Sequence, residues 1–492
     1  MLTIDEIKSF IANDAYSQCK KDARTCQQYY DGEHDIKRRR IFFINEKDQW
    51  EEDKVKSNIR MSHPFHRLLT DELVQYTLSN EGGFMKSDDP FLQSELDKRF
   101  NDSEDFMAEM YDTLTRTVSN GWGYLYAYKN EDDQIAFEFA DGMKVIEIRA
   151  ADASDNMRHV IYWYDETTVK NESTIRYVQV WDDTLVYYYK QVGESAMLLD
   201  EDESENPRPH TVYSKGGKPY ANDKKGFGTI PFFRIDNNRN RRGDLWMYKD
   251  LIDDYDLMNV DLSNNLQDTN EVAYALIGFD GDNLDELMQN FRAKKAIGMP
   301  SDGKIEAQTV DIPVEARTKK MDIDEQNIFR FGMGLNTDGL KDTNATTNIA
   351  IKSAYSLLDL KANKLKIRLK QFLRKLLGIV LAEINQQNGT DYQQKDVYFS
   401  FDPEIPTNEQ ENAQIALLEA QKRQAEINTL LSLATQLGND LMMELICEQL
   451  EIDYNEIKSR LPKEEDMDGL AMAQKALQGV EPSDGAEGEV IE

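Results

Sequence analysis

Few residues in this chain combine type and spacing in a way that could do chemistry, and each sits in a setting that blunts it. Gly298-Met-Pro-Ser-Asp-Gly303-Lys304 has the spacing of a phosphate-binding loop as far as its lysine. Ile305 stands where a Ser or Thr would hold magnesium, and a strand pattern follows instead of a helix. Without a helix N-terminus there is no fan of amides for phosphates, so a β-turn accounts better for these residues. His63-Pro-Phe-His66 offers two metal-ligating side chains, but only five histidines exist, no cysteine cluster accompanies them, and the proline breaks the helical spacing. A helix start with a packed or surface histidine pair is the expectation. Asp280-Gly-Asp282-Asn-Leu-Asp285-Glu286 is acidic enough to suggest calcium, yet lacks the mid-loop glycine and the twelfth-position glutamate of an EF-hand. An exposed turn with helix-capping acids fits it. No serine elbow, Cys–His couple or paired-carboxylate constellation stands out, so no catalytic residue, metal site or cofactor is expected.

The densest basic run is Lys361, Lys364, Lys366, Arg368, Lys370, Arg374 and Lys375, with no acid between Lys361 and Ala382. Two readings stay open: a solvated face balanced by acids of neighbouring helices, or contact with phosphate or an ion-pair belt between subunits. Arg239, Arg241 and Arg242 carry the same ambiguity.

These residues must be positioned by a characteristic order of elements. Asp244–Glu271 has apolar Leu245, Tyr248, Leu251, Ile252, Tyr255, Met258, Leu262 and Leu266 at three- and four-residue steps, the mark of an amphipathic helix. Val272–Pro313 reads as a small insert with strands at Ala273–Phe279, Ala296–Met299 and Lys304–Val310 and a short helix at Leu284–Arg292. Val314–Leu335 resumes a helix, Thr337–Asn348 is a polar loop, and Ile349–Asn388 is a helix of about 60 Å at about 1.5 Å per residue. Leu358, Leu365, Phe372 and Ile379 fall seven apart, a seam that wants a partner helix.

Upstream, residues 1–34 predict one or two helices, Ser57–Asn80 another, and Asp89–Asn120 one or two more. From Gly121 the period becomes two: Trp122, Tyr124, Tyr126 and Tyr128 alternate, and Gln134–Ala140, Met143–Ile148, His159–Tyr164, Ile175–Trp181 and Thr184–Lys190 follow as one antiparallel meander. Asp200–Lys225 predicts a mobile excursion, and Gly228–Asp236 a last strand. Val397–Phe401 predicts a strand, Asn408–Leu461 two or more helices, and the final dozen residues disorder.

A length of 492 residues suggests roughly three domains at about 150 residues each. The chain shows no apolar run near the ~20 residues of a membrane span and no signal peptide. Cys19 and Cys26, seven apart on one helix, are too distant to bridge, so a reducing cytoplasm is expected. The net charge of −33, from 91 acids and 58 bases, argues against tight nucleic-acid binding. Composition leaves open whether it serves solubility alone or forms an acidic wall along which DNA slides.

Four stretches carry a resemblance: Tyr29-Tyr-Asp-Gly32 with His34 and Ile36; Asn58–Tyr76 with His63-Pro-Phe65 and Asp71; Ile230-Pro-Phe232 through Asn237-Asn238 into Asp244–Asp256; and Thr347-Asn348-Ile-Ala350-Ile-Lys352 with its helix. In this order, over about Tyr29–Leu461, the chain resembles the portal proteins of tailed bacteriophages, of the SPP1 type. Thr347-Asn348 stands where many relatives have Ser-Gly.

The resemblance implies an α+β, mainly helical portal fold with long stem helices, an α/β clip insert, a wing with an antiparallel sheet, and a helical crown. It implies no enzyme but a homo-oligomeric ring, twelve copies with thirteen possible in vitro, at one capsid vertex of the virion, assembled in the host bacterial cytoplasm. Double-stranded DNA would pass through it non-specifically. The partners implied are the terminase large subunit, a head-completion or adaptor protein, and the major capsid and scaffolding proteins, with no membrane. Residues 1–243 would form the N-terminal helices and wing, 244–271 and 314–336 the stem, 272–313 the clip, and 337–348 the tunnel loop. The long helix and return strand would span 349–403, the crown 404–462, and an acidic tail 463–492. Lys341, Asn344, Thr346 and Thr347 would face DNA; Asp280, Asp282, Asp285 and Glu286 would dock clip partners; Lys361, Lys364, Lys366 and Arg368 would line the channel or a subunit boundary. A packaging nuclease or ATPase and a helical scaffold that never surrounds DNA are the competing readings. The ring reading expects the apolar flank of each long helix to stay uncovered until neighbouring copies close the circle.

Overall fold

Thr3 starts the first helix with a capping box, its hydroxyl accepting from Glu6 N at 3.3 Å while the Glu6 carboxylate accepts from Thr3 N at 2.8 Å. The computed structural model describes residues 2–45, 47–53, 56–79, 83–150, 156–168, 173–203, 205–215, 218–220, 226–268, 273–277, 304–308, 313–335, 348–401, 409–432, 444–445 and 447. Helices α1 (Ile4–Asp14) and α2 (Gln18–Tyr30) match the expected pair. Strands β1 (Phe42–Ile44) and β2 (Trp50–Glu52) then form a hairpin that the sequence pattern did not suggest. Helix α3 (Phe65–Leu78) is shorter than the expected Ser57–Asn80, because Pro64 disfavours helical backbone at His63 and marks the true start. After β3 (Met85–Lys86) come α4 (Pro90–Leu96), a π-helical turn over Asp97–Asn101, and α5 (Glu104–Asn120). Gly121 ends α5 at φ +107°, and a Cβ there would lie 2.5 Å from the Arg241 carbonyl oxygen.

The expected meander divides into two sheets. Strand β4 (Trp122–Lys129) pairs with β5 (Ile135–Ala140), while β6 (Val145–Arg149), β7 (Met157–Thr168), β8 (Ser173–Trp181), β9 (Leu185–Val192) and β10 (Leu198–Leu199) form a separate antiparallel sheet. The region expected as an excursion is partly tied down. Within it β11 (Arg208–Pro209) pairs with β9, and β12 (Tyr213–Lys215) pairs with β13 (Lys218–Tyr220). Strand β14 (Phe232–Asp236) returns to flank β4 in the register Phe232 to Tyr126, so a strand distant in sequence completes the smaller sheet. Period-two alternation marks each strand but carries no information about its neighbour.

A 3₁₀ turn over Asp244–Met247 leads into α6 (Lys249–Asp268). Strands β15 (Ala273–Ile277) and β16 (Lys304–Gln308) pair antiparallel and lead into α7 (Val314–Gly332). The two helices pack together and run antiparallel: Gly332 at the end of α7 lies against Tyr248 at the start of α6, and Lys320 pairs with Asp254. The expected helix Leu284–Arg292 and strand Ala296–Met299 lie outside the described residues. Helix α8 (Asn348–Asn388) has the expected length, and β17 (Tyr398–Phe399) pairs with β3. The chain divides into two compact units, Met1–Ala345 with Ile349–Pro406 and Thr346–Asn348 with Thr407–Glu492. The second contributes α9 (Glu409–Ser432), where Leu417 and Leu418 are exposed; apart from Glu444, Leu445 and Cys447, the rest of the expected helices and the tail lie outside the described residues.

For the α8 seam and the start of α6, the expectation that neighbouring copies must cover the long helices needs correction. Leu358, Leu365 and Phe372 of the seam are buried in one cluster with Leu73, Phe100, Met110, Leu114, Leu125 and Phe137 of the same chain, and Ile379 packs against it. On α6 and its lead-in, Leu245, Tyr248 and Ile252 are likewise buried, whereas Met247 in the lead-in and Leu266 at the far end, 48% and 53% exposed, stay wet. The seam's partners are α3, the α4–α5 region and the small sheet. Glu383 strengthens this attachment near the other end of α8: its carboxylate pairs with Arg99 and Lys129 and accepts from Ile135 N at 3.2 Å. Phe372→Ala should therefore cost the isolated protomer about 3–5 kcal/mol. Denaturant unfolding measures this, and an unchanged midpoint would show that the seam is not part of the protomer core.

Candidate functional site at the root of the paired helices

Residues from four distant stretches meet where α6 begins. Asp256, fully buried on α6, places Oδ2 2.6 Å from His34 Nδ1 and Oδ1 2.7 Å from His63 Nδ1, and Oδ1 also accepts from His63 N at 3.0 Å. His34 Nε2 reaches the Tyr29 carbonyl at 3.2 Å. Both His34 ring nitrogens are thus engaged within the chain, and neither faces open space. Burial pushes the Asp256 carboxyl upward, but the hydrogen bonds from His34 and His63 outweigh it and hold the group below its ordinary range.

One turn earlier, the Tyr29 hydroxyl donates to Asp253, and Lys249 lies over the Tyr29 ring at 4.6 Å while pairing with Asp35 at 2.9 Å and Asp253 at 2.6 Å. Burial would lower the Lys249 ammonium, yet these partners raise it above the usual lysine value. His66 points elsewhere, with Nδ1 2.8 Å from the Tyr248 hydroxyl and Nε2 3.1 Å from Ser119 Oγ. The His63–His66 pair is thus a packed pair at a helix start, with each ring committed to a different partner. Burial pushes the nearby Cys26 thiol up to about 12, which keeps it from acting as a nucleophile.

Lys361 joins α8 to this region. Its ammonium lies 2.8 Å from Asp244 Oδ2 and donates to the Gly332 carbonyl at 2.7 Å, tying α8 to the start of the first paired helix and the end of the second. Lys366 is also buried, donating to the Phe401 carbonyl at 3.2 Å and lying over the Tyr76 ring. For these two residues the channel or subunit-boundary expectation is corrected: the periodicity that makes α8 amphipathic turns both inward. Lys364 is exposed and Arg368 half-buried. Lys341, Asn344, Thr346 and Thr347 lie outside the described residues, as do Asp280, Asp282, Asp285 and Glu286. So does most of the Gly298–Lys304 loop, though Lys304 itself opens β16.

Sequence reasoning missed the His34–Asp256–His63 bridge. Its signal lay in the short stretches themselves, since Tyr29, His34, His63 and Asp256 all belong to those that carry the resemblance. The arrangement is a structural joint: His34 and Asp256 are fully buried against each other, and His63, partly exposed, closes the carboxylate from the other side.

The family model described as "Phage portal protein, SPP1 Gp6-like" matches residues 11–454. The chain belongs to this family. Among portal proteins, that of Bacillus phage SPP1 is 26% identical over 348 residues, 70% of this chain and 67% of the relative. That of Clostridium phage phiCD119 is 24% identical over 435 residues, 84% and 89% of the two chains. Two solved structures are also similar. One, described as the neck of a native GTA particle computed with C12 symmetry, has a TM-score of 0.36 at 13% identity, covering 78% of this chain and 89% of the other. The second, the neck of an empty GTA particle computed with C6 symmetry, has a TM-score of 0.37 at 13% identity, covering 78% and 90%. For this portal family member, the joint at α6 unites segments that lie far apart in the matched stretch.

His66 supplies a test of the packing beside the joint. Burial lowers it from 6.5 to about 3, so the unfolded chain takes up a proton first as pH falls. Its contribution is intact above pH 6.5 and is lost progressively toward about 3. At about 1.4 kcal/mol per unit, the loss reaches about 2 kcal/mol at pH 5. His66→Gln should be less stable than wild type at pH 7 yet lose about 2 kcal/mol less between pH 7 and 5. Denaturant titrations at both pH values check this, and equal losses in both proteins would refute it.

Proposed function

We propose that this chain is a bacteriophage portal protein whose copies close into a ring, normally of twelve, at one capsid vertex. Double-stranded DNA is packaged and ejected through its axis. The observation that carries this reading is membership of the SPP1-type portal family over residues 11–454. The antiparallel α6–α7 pair, with β15 and β16 at its far end, suits a stem bearing a clip. The described residues also leave apolar surface for neighbours to cover. On the outer face of α8, Leu357, Leu360 and Ile367 are 39%, 57% and 62% exposed. With Lys364, Gln371 and Arg374 they continue a four-three spacing, distinct from the buried seam.

In this reading residues 1–243 form the wing, 244–271 and 314–336 the stem, 272–313 the clip, 337–348 the tunnel loop and 404–462 the crown. Asp280, Asp282, Asp285 and Glu286 of the clip dock the terminase and later the head-completion protein. The ring is a conduit without catalysis of its own, and the docked terminase drives the DNA. A chain of net charge −33 repels phosphate and prevents DNA from settling in one register, as a channel requires. Lys341, Asn344, Thr346 and Thr347 touch the passing backbone weakly.

Native mass spectrometry of the purified protein should give twelve or thirteen copies, and electron micrographs a central hole; a stable monomer at every concentration contradicts the ring. Deleting Thr343–Thr347 should leave rings intact but sharply reduce the DNA retained in assembled particles, measured by nuclease protection. Unchanged retention would remove the loop from the mechanism.

A further inference from the structure

The β1–β2 hairpin is a two-stranded sheet with a bare apolar face. Its register pairs Phe42 with Glu52, Phe43 with Glu51 and Ile44 with Trp50. Residues directly opposite share a face, and faces alternate along each strand, so Phe42, Ile44 and Trp50 stand together. They are 49%, 57% and 72% exposed, and none joins a buried cluster among the described residues. An isolated two-stranded hairpin is marginal in water, so one with three large side chains on a wet face needs something packed against it.

The root of the hairpin is firmly held. Arg39 pairs with Asp261 of α6 at 2.5 Å, Ile59 N donates to Asn264 Oδ1 at 2.7 Å, and Ser57 N donates to Asp268 Oδ1 at 3.1 Å. The strands therefore leave from beside the far half of α6.

We propose that the face of Phe42, Ile44 and Trp50 packs on the α6–α7 pair of a second copy of this chain, an inference that rests on the ring reading above. Level is the first argument. Rotation about a ring axis preserves height, so a hairpin rooted beside Asp261–Asp268 meets the far half of the next copy's helices. There Leu266 of α6 is 53% exposed and Val314 of α7 is 42% exposed. Charge is the second. Lys37, Arg38, Arg39 and Arg40 precede the hairpin, with the Arg38 and Arg40 side chains 62% and 64% exposed. Helix α6 carries six aspartates against Lys249 alone, and the acids and bases of α7 balance, so the pair as a whole is acidic. Thirdly, the hairpin face and the helix pair are different surfaces, which is what a head-to-tail contact in a ring needs.

The test combines assembly with crosslinking in the full chain. The triple variant Phe42→Ser, Ile44→Ser, Trp50→Ser should raise the concentration for half-assembly about tenfold or more, as loss of buried aromatic anchors does. Its dissociated protomer should keep the wild-type circular dichroism and melting point. Mixing an Ile44→Cys chain with a Leu266→Cys chain under oxidation should give disulfide dimers, and neither variant alone should. Wild-type assembly by the triple variant, with no dimers from the mixture, overturns the proposal and leaves the ring reading standing. Rings of normal mass that fail only to enter capsids overturn it in favour of a different partner. A wild-type chain that never forms rings overturns both readings.

Discussion

Burying Asp256 between His34 and His63 is the constraint on which the described architecture turns. A carboxylate with no exposed surface is tolerated only when its oxygens are filled by donors. Here the donors come from the segment after α2 and from the residue before Pro64, so the start of the α6–α7 pair can form only when both segments are in place. Tyr29, Lys249, Asp35 and Asp253 repeat the arrangement one turn away. The long helices thus leave the body of the protein in a set direction, because a polar joint is far less tolerant of displacement than an apolar contact.

The division of apolar surface is the second organising fact. Helix α8 has two stripes: one buried inside its own chain, with Leu358, Leu365 and Phe372, and one left outside, with Leu357, Leu360 and Ile367. A protomer built this way has a complete core of its own, and association adds to that core instead of creating it. Within this family member, the surface open to neighbouring copies is therefore the outer stripe, not the heptad seam.

Much of the element order was legible in the sequence. Long helices with regular apolar spacing, such as α6 and α8, and strands with strict alternation, such as β4, fell close to their expected bounds, since burial of one face writes its period into the chain. The start of α3 was misjudged because the apolar pattern runs across Pro64, where backbone sterics overrule it. Splitting of the meander into two sheets was invisible because alternation is the same whichever strand lies alongside. Among the candidate residues, Lys361 and Lys366 looked like surface cations by type, yet long aliphatic stems allow lysines to reach buried acceptors.

From the sequence alone came the family resemblance, the order of helices and strands, the high acidity and the absence of any evident catalytic constellation, because these follow from residue type and local spacing. Only the tertiary structure decided that His34, His63 and Asp256 form one joint, that α8 hides its seam within its own chain, and that Phe42, Ile44 and Trp50 share a bare face. Those facts depend on strand register in the hairpin and, for the joint and the seam, on which segments tens to hundreds of residues apart the fold brings within reach, and no local periodicity encodes that.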